Sequence, residues 1–213
     1  MAKKGEDTRN RILDAAQAMI LDRGFAGVSI DQLIQSLGLT KGAFFHHFKN
    51  KNDLARSLIR RYADEGLVLF RDNLARARKL SDDPLQQLLI LVGLYEELFE
   101  HLTEPYPGCL LASYVYELQQ FDEKTRSILN EEFLQSRREV MKLLRSIMKR
   151  YPARRPVDLM ALADGFMSAF EGAFILSKSL NEADITARQL RLYKTTIEAL
   201  FLPDLPTRSG ESS

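Results

Sequence analysis

The sequence predicts an all-α protein in which an N-terminal three-helix domain with a helix-turn-helix precedes a larger helical bundle, about nine helices in all. Three observations predict it. Long segments repeat apolar residues at helical spacing, few alternate with the two-residue period of a half-buried strand, and caps, glycines and prolines break the chain at helix-length intervals.

A first helix is expected from about Thr8 to Asp22, with Ile12, Ala15, Ala16, Met19 and Ile20 on one stripe, Thr8 or Asp7 as its cap and Gly24 as its stop. A second, short helix starts after Ser29, its Ile30, Leu33, Ile34 and Leu37 falling at i, i+3, i+4 and i+7. Gly38 and Leu39 make a turn, and Thr40 caps a third helix running to about Phe48. Beyond them come a long helix over Asp53 to Arg78, a capped restart at Ser81-Asp82-Asp83-Pro84, and helices over Leu85 to Thr103 and Cys109 to Gln120. Asp122 caps another long helix to about Arg150, which the Pro152 and Pro156 pair ends; two more follow, over Val157 to Leu180 and Thr186 to Leu202. The chain thus divides into a reader, residues 1–52, a bundle, residues 53–203, and a polar tail, residues 204–213, expected to be disordered.

The composition of the 213 residues is that of an ordinary globular protein, 45% apolar and 28% charged. The longest uninterrupted apolar run, Leu88 to Leu94, is far short of the roughly 20 residues that span a bilayer. No apolar segment follows the charged N-terminus, so a cytoplasmic protein without membrane contact is expected. The single cysteine excludes an internal disulfide and a zinc ligand set; no metal or cofactor is expected. Net charge is only +1, but residues 1–60 hold ten basic against six acidic side chains and the remainder 20 against 23. Basic charge gathers at the reader end, the footprint of a nucleic-acid partner.

The third helix gives that partner its form. With Phe44 and Phe48 fixing the core side, Gly42, Ala43, His46 and Lys49 point the other way, a face of small and polar residues able to enter a major groove. Its N-terminus offers free N–H groups to a phosphate, Thr40 adds a hydroxyl, Lys41 and Lys51 add positive charge at the two ends, and Ser29 does for the second helix what Thr40 does for the third.

From Gly24-Phe25 through Ser29-Ile30 and the unbroken run Leu37 to Lys51, to Leu54, the chain resembles the DNA-binding domain of the TetR family of one-component repressors. The resemblance implies a ligand-responsive repressor: a homodimer on a palindromic double-stranded operator, with a long fourth helix linking the reader to a ligand-binding bundle, and two C-terminal helices forming most of the dimer interface. Carried over by motif position, Ser29, Lys41, Ala43, Phe45, His46, His47 and Lys51 face DNA, with Ser29, His47 and Lys51 on phosphates and Lys41 and His46 nearest the bases. Leu33, Leu37, Phe44, Phe48 and Leu54 resemble the family's core. Phe45 departs from the family's usual tyrosine, whose hydroxyl reaches a phosphate. It stands at the edge between core and groove faces, either against sugar or a thymine methyl or as an extra core residue.

The bundle carries many aromatics on helical faces, most of them core; a cavity between its helices would be lined by some, with a few polar groups to orient a small-molecule effector. Phe133, Phe170, Tyr114, Glu117 and Glu171 are the candidates, and Cys109 joins them. Its place at the first turn of a helix favours thiolate, and its Gly-Cys-Leu setting resembles a segment in family members that sense electrophiles; the competing reading is a small buried hydrophobe. Small residues at Gly165, Ser168, Ala169, Gly172 and Ala173 permit a second helix to approach closely. No paired nucleophile and base, carboxylate pair or phosphate-cradling loop points to an enzyme. The alternative is a helical adaptor that binds a protein without DNA sequence specificity.

Overall fold

A computed structural model describes residues 2–202, and its side chains from residue 6; the tail expected over 204–213 lies outside the described residues. Among these residues the chain is all-helical: α1 (Ala2–Arg23), α2 (Ile30–Ser36), α3 (Lys41–His47), α4 (Lys51–Leu80), α5 (Pro84–Glu100), α6 (Leu110–Val115), a 3-10 turn (Leu118–Gln120), α7 (Glu123–Arg150), α8 (Leu159–Leu180) and α9 (Ile185–Phe201).

Local chemistry sets the reader's boundaries. Gly24 ends α1 at φ +75°, a conformation costly for a residue with a Cβ. Ser29 and Gln32 form a reciprocal capping box at α2: the Ser29 hydroxyl accepts from the Gln32 N–H at 3.1 Å, and the Gln32 amide oxygen accepts from the Ser29 N–H at 2.9 Å. Gly38, at φ +63°, turns the chain, and Thr40 caps α3 by accepting from the Ala43 N–H at 3.2 Å.

Two apolar cores result. The front one joins Ile12, Ala16 and Ile20 of α1, Leu33 and Ile34 of α2, and Phe44 of α3 to Phe48 and to Leu54 and Leu58 of α4. Leu110, Tyr114, Phe121 and Leu129, distant in sequence, complete it. The rear core lies among the second half of α4 (Phe70, Leu74), α5, α7, α8 and α9. α4 runs through both cores, and α6 belongs to the front one. Arg56 on α4 donates to Asp122 at 2.8 Å and Thr125 at 3.2 Å, tying the start of α7 to the reader.

The helix expected over Cys109 to Gln120 is broken. It stops at Val115, and a 3-10 turn follows, because the Glu117 side chain is drawn toward the α1–α2 connection instead of continuing the helix. Among the described residues one helix, α8, is by length and composition apolar enough to cross a membrane, although Asp164, Glu171 and Lys178 interrupt its apolar run. Only 22% of its most apolar window is buried within the chain.

Candidate nucleic-acid interface and effector cavity

On α3, Phe44 is fully buried and, with Phe48, anchors the helix in the front core, whereas Lys41, Gly42, Phe45 and His46 are exposed and Ala43 and His47 partly so. Phe45 is 50% exposed, its ring edge-on to Phe44 at 5.3 Å. It is therefore not an extra core residue, and its outer face is free to meet an apolar group. Ser29 and Thr40 stand exposed at the starts of α2 and α3. Each oxygen accepts the N–H its cap requires, and the Thr40 hydroxyl proton remains to be donated.

The cations differ in their commitments. Lys41 is exposed and pairs with Asp31 of α2 at 2.9 Å, a surface bridge weak enough for a phosphate to displace. Lys51 is partly buried: its ammonium donates to the Phe25 carbonyl at 2.5 Å and lies 4.1 Å from the centre of the Phe25 ring, so it braces the α1–α2 connection. Burial lowers its pKa, against the opposing pull of Glu117. His47 is held below the ordinary imidazole range by desolvation and then by His46 and Arg9 beside it. At neutral pH it thus offers a neutral N–H donor.

The bundle holds a cavity of about 260 Å³, between α4, α5, α7, α8 and the segment before α6. Of the residues expected around an effector, Cys109, Phe133, Phe170 and Glu171 line it, together with Tyr62, Tyr95, Phe99, Tyr106 and Phe174, which sequence reasoning did not single out as lining residues. Helical spacing alone cannot separate such residues from core.

Tyr114 and Glu117 are corrected: neither lines this cavity. Tyr114 is fully buried in the front core, edge-on to Phe25 at 5.5 Å and tilted against Phe121 at 4.9 Å. The Glu117 carboxylate accepts from the backbone N–H groups of Phe25 at 2.6 Å and Ala26 at 2.7 Å. Those two donors lie just past the end of α1, where the chain has no helical acceptor for them. No local pattern could reveal a bond spanning 92 residues.

Cys109 is corrected as well. It is the N-cap of α6 rather than a first-turn residue, and its side chain makes no capping bond. Burial, then the nearby Glu171 carboxyl, pushes its thiol up to about 12, so desolvation outweighs the helix dipole and the group is a neutral thiol. Glu171 in turn is raised by burial, with the Cys109 thiol as a hydrogen-bond donor to it.

The Tyr114 hydroxyl is buried without a hydrogen-bond partner. Tyr114→Phe is therefore expected to leave stability unchanged or raise it by about 1 kcal/mol in urea unfolding. A loss of comparable size would show that the hydroxyl has a partner in solution.

Residues 12–58 match the family model described as bacterial regulatory proteins, tetR family. The segment covers the capped α2–turn–α3 unit and the aromatic anchor described above. Residues 12–58 thus carry the DNA-binding segment of the TetR family. An HTH-type transcriptional regulator of Lactococcus lactis is 23% identical over 195 residues, 90% of this chain and 94% of that protein. The HTH-type transcriptional regulator TtgR of Pseudomonas putida is 31% identical over 99 residues, 45% of each chain, so this chain spans less than half of TtgR in that match. A TetR transcriptional regulator from Chloroflexus aurantiacus has the same fold: TM-score 0.77 over 94% of this chain and 100% of that one, at 23% identity. By that segment and by its fold the chain is similar to TetR-family transcriptional regulators, and the relatives it matches are named as regulators.

Proposed function

We propose that this protein is a cytoplasmic, ligand-responsive repressor of the TetR family that binds a palindromic operator as a homodimer and releases it when a small molecule occupies the bundle cavity. The observation that carries this reading is the position of α6. Its N-cap, Cys109, is part of the cavity wall, while Glu117, two residues past its end, is hydrogen-bonded to the reader at Phe25 and Ala26. A ligand that moved Cys109 and Tyr106 would pull on the connection between α1 and α2, and so on the angle at which α3 is presented. Such a shift requires the ligand to bind the displaced arrangement more tightly.

Dimerisation is supported by α8. Its Ser168, Gly172, Ile175 and Leu176 are exposed, and a Cβ placed on Gly172 would meet nothing within 4 Å. Leu192 on α9 is exposed too. An apolar stripe around small residues on the most apolar helix suits a second copy of the same helix, which also supplies the second reader a palindrome needs.

DNA binding by the α3 face is tested at Gly42. A Cβ there meets only Thr40 Oγ1, at 3.9 Å, an ordinary contact, so nothing within the protein requires glycine. Gly42→Ala is expected to stabilise the fold by about 0.5–1 kcal/mol through helix propensity. It should also weaken binding to the protein's own upstream DNA roughly tenfold, by holding the backbone away from the groove. Thermal unfolding and mobility shift on the same sample read both effects. Higher stability with undiminished DNA affinity would show that α3 does not approach DNA at this residue.

A further inference from the structure

Charge on the cavity wall is one-sided. Glu132, Glu139 and Glu171 line it, and no Lys, Arg or His does among the described residues. Glu139 is answered from outside by Lys142 at 2.7 Å, whereas Glu132 is raised by burial and by Asp64 and Glu131, with Arg60 a smaller opposing charge nearby. Glu171 is different. Its neighbour one turn back on α8, Met167, is apolar, and Arg137 on α7, which borders the same region, is bonded to Asp164 at 2.6 Å. The polar group that faces Glu171 is the Cys109 thiol, a weak donor. A carboxylate so placed lacks the charged or strongly donating partner that a desolvated anion requires.

Aromatic rings surround this gap. Phe170 meets Tyr95 at 5.3 Å and Phe99 at 5.9 Å, and Phe174 meets Tyr106 at 4.9 Å, so ring faces and edges form the cavity's lining on the side of α5 and the segment before α6. Aromatic faces carry negative potential and attract cations, and attraction grows where water is excluded. The volume, about 260 Å³, lies just below the usual range for ligand pockets, roughly 300–1,000 Å³, and so suits a small ligand.

We infer that the effector is a small lipophilic cation, an aryl or aralkyl amine, whose ammonium group pairs with Glu171 while its ring packs among Tyr95, Phe99, Phe170 and Phe174. The inference rests on the proposal that the cavity is the effector site, and it adds the ligand's charge. Binding supplies the N–H donor that Glu171 lacks, as a charge-assisted bond. The same arrangement discriminates against carboxylates and phosphates, which would meet three acidic side chains and no base.

The test is a calorimetric titration of the full-length protein with three probes of similar shape, naphthylethylamine, naphthylethanol and naphthylacetate. The amine is expected to bind roughly tenfold more tightly than the alcohol, and the carboxylate weakest of all. Glu171→Gln should bring the amine down to the level of the alcohol. The wild-type series decides the matter alone should that variant not fold. Equal or tighter binding of the alcohol or the carboxylate, failure of all three probes to bind, or an amine preference that survives in a folded Glu171→Gln protein would overturn the inference. Anisotropy with labelled upstream DNA, read in the same samples, separates the two levels. Amine binding that leaves bound DNA in place contradicts the role of the cavity in release, whereas a failed probe series beside intact DNA binding contradicts only the ligand's charge.

Discussion

Leu176→Glu is expected to turn a dimer into a monomer and to lower operator affinity roughly 100-fold or more. Leu176 is 47% exposed on α8, beside Ile175 at 52% and one turn from Gly172, so a charge placed there leaves the monomer's own core untouched. In a dimer built on this face the carboxylate would be buried without a partner, which costs several kcal/mol. The effect on DNA follows from linkage. Two readers held together bind the second half-site at high effective concentration, a gain of about 10² to 10⁴ that separate monomers forfeit. Sedimentation velocity and anisotropy on operator DNA measure the two consequences. A variant that remains dimeric, or a wild-type protein that sediments as a monomer, would show that this face is not the interface.

Glu117→Ala is expected to cost about 2–3 kcal/mol of stability and to uncouple the cavity from the reader. The carboxylate accepts two short hydrogen bonds from backbone donors, at 2.6 and 2.7 Å, and bonds to a charged acceptor are worth about 1.5–3 kcal/mol each, with partial exposure reducing the sum. Gly24 shows how closely the parts fit. Its φ of +75° favours glycine, and a Cβ there would lie 2.6 Å from Glu117 Oε1, so the carboxylate would have to shift. Without Glu117 the Phe25 and Ala26 amides should exchange with solvent far faster, and DNA should be retained when ligand fills the cavity. Urea unfolding and amide hydrogen exchange check the structural half, and ligand-dependent release checks the functional half. An unchanged unfolding midpoint with Phe25 and Ala26 still protected would remove Glu117 from the connection.

What the sequence made legible and what it hid divide along the distance over which the determining contacts act. Ser29, Gly38 and Thr40 act within a few residues, so α2, the turn and α3 could be placed closely, and the outward face of α3 followed from the positions of Phe44 and Phe48. The start of α1 was misplaced because residues before Thr8 carry no apolar period, and an established helix propagates through them at little cost. The segment from 109 to 120 failed for the opposite reason. Its helix ends where Glu117 and Tyr114 bind partners on the α1–α2 connection, and only the fold brings those partners near. Cys109 was ambiguous for as long as its burial was unknown, since the dipole and desolvation push a thiol in opposite directions. That the Lys51 ammonium lies on the Phe25 carbonyl and ring is likewise a contact between residues 26 positions apart, which no local pattern reveals.

That two copies of this chain read one palindromic sequence through α3 is tested most directly by competition binding. Labelled upstream DNA, saturated with the full-length protein, is titrated with unlabelled DNA of the same sequence and with random-sequence duplex of equal length. The account predicts two protein chains per duplex, ready displacement by the same sequence, and displacement by random duplex only at roughly a thousandfold or greater excess. Displacement by both competitors at equal concentration, or a complex containing one chain, would contradict it.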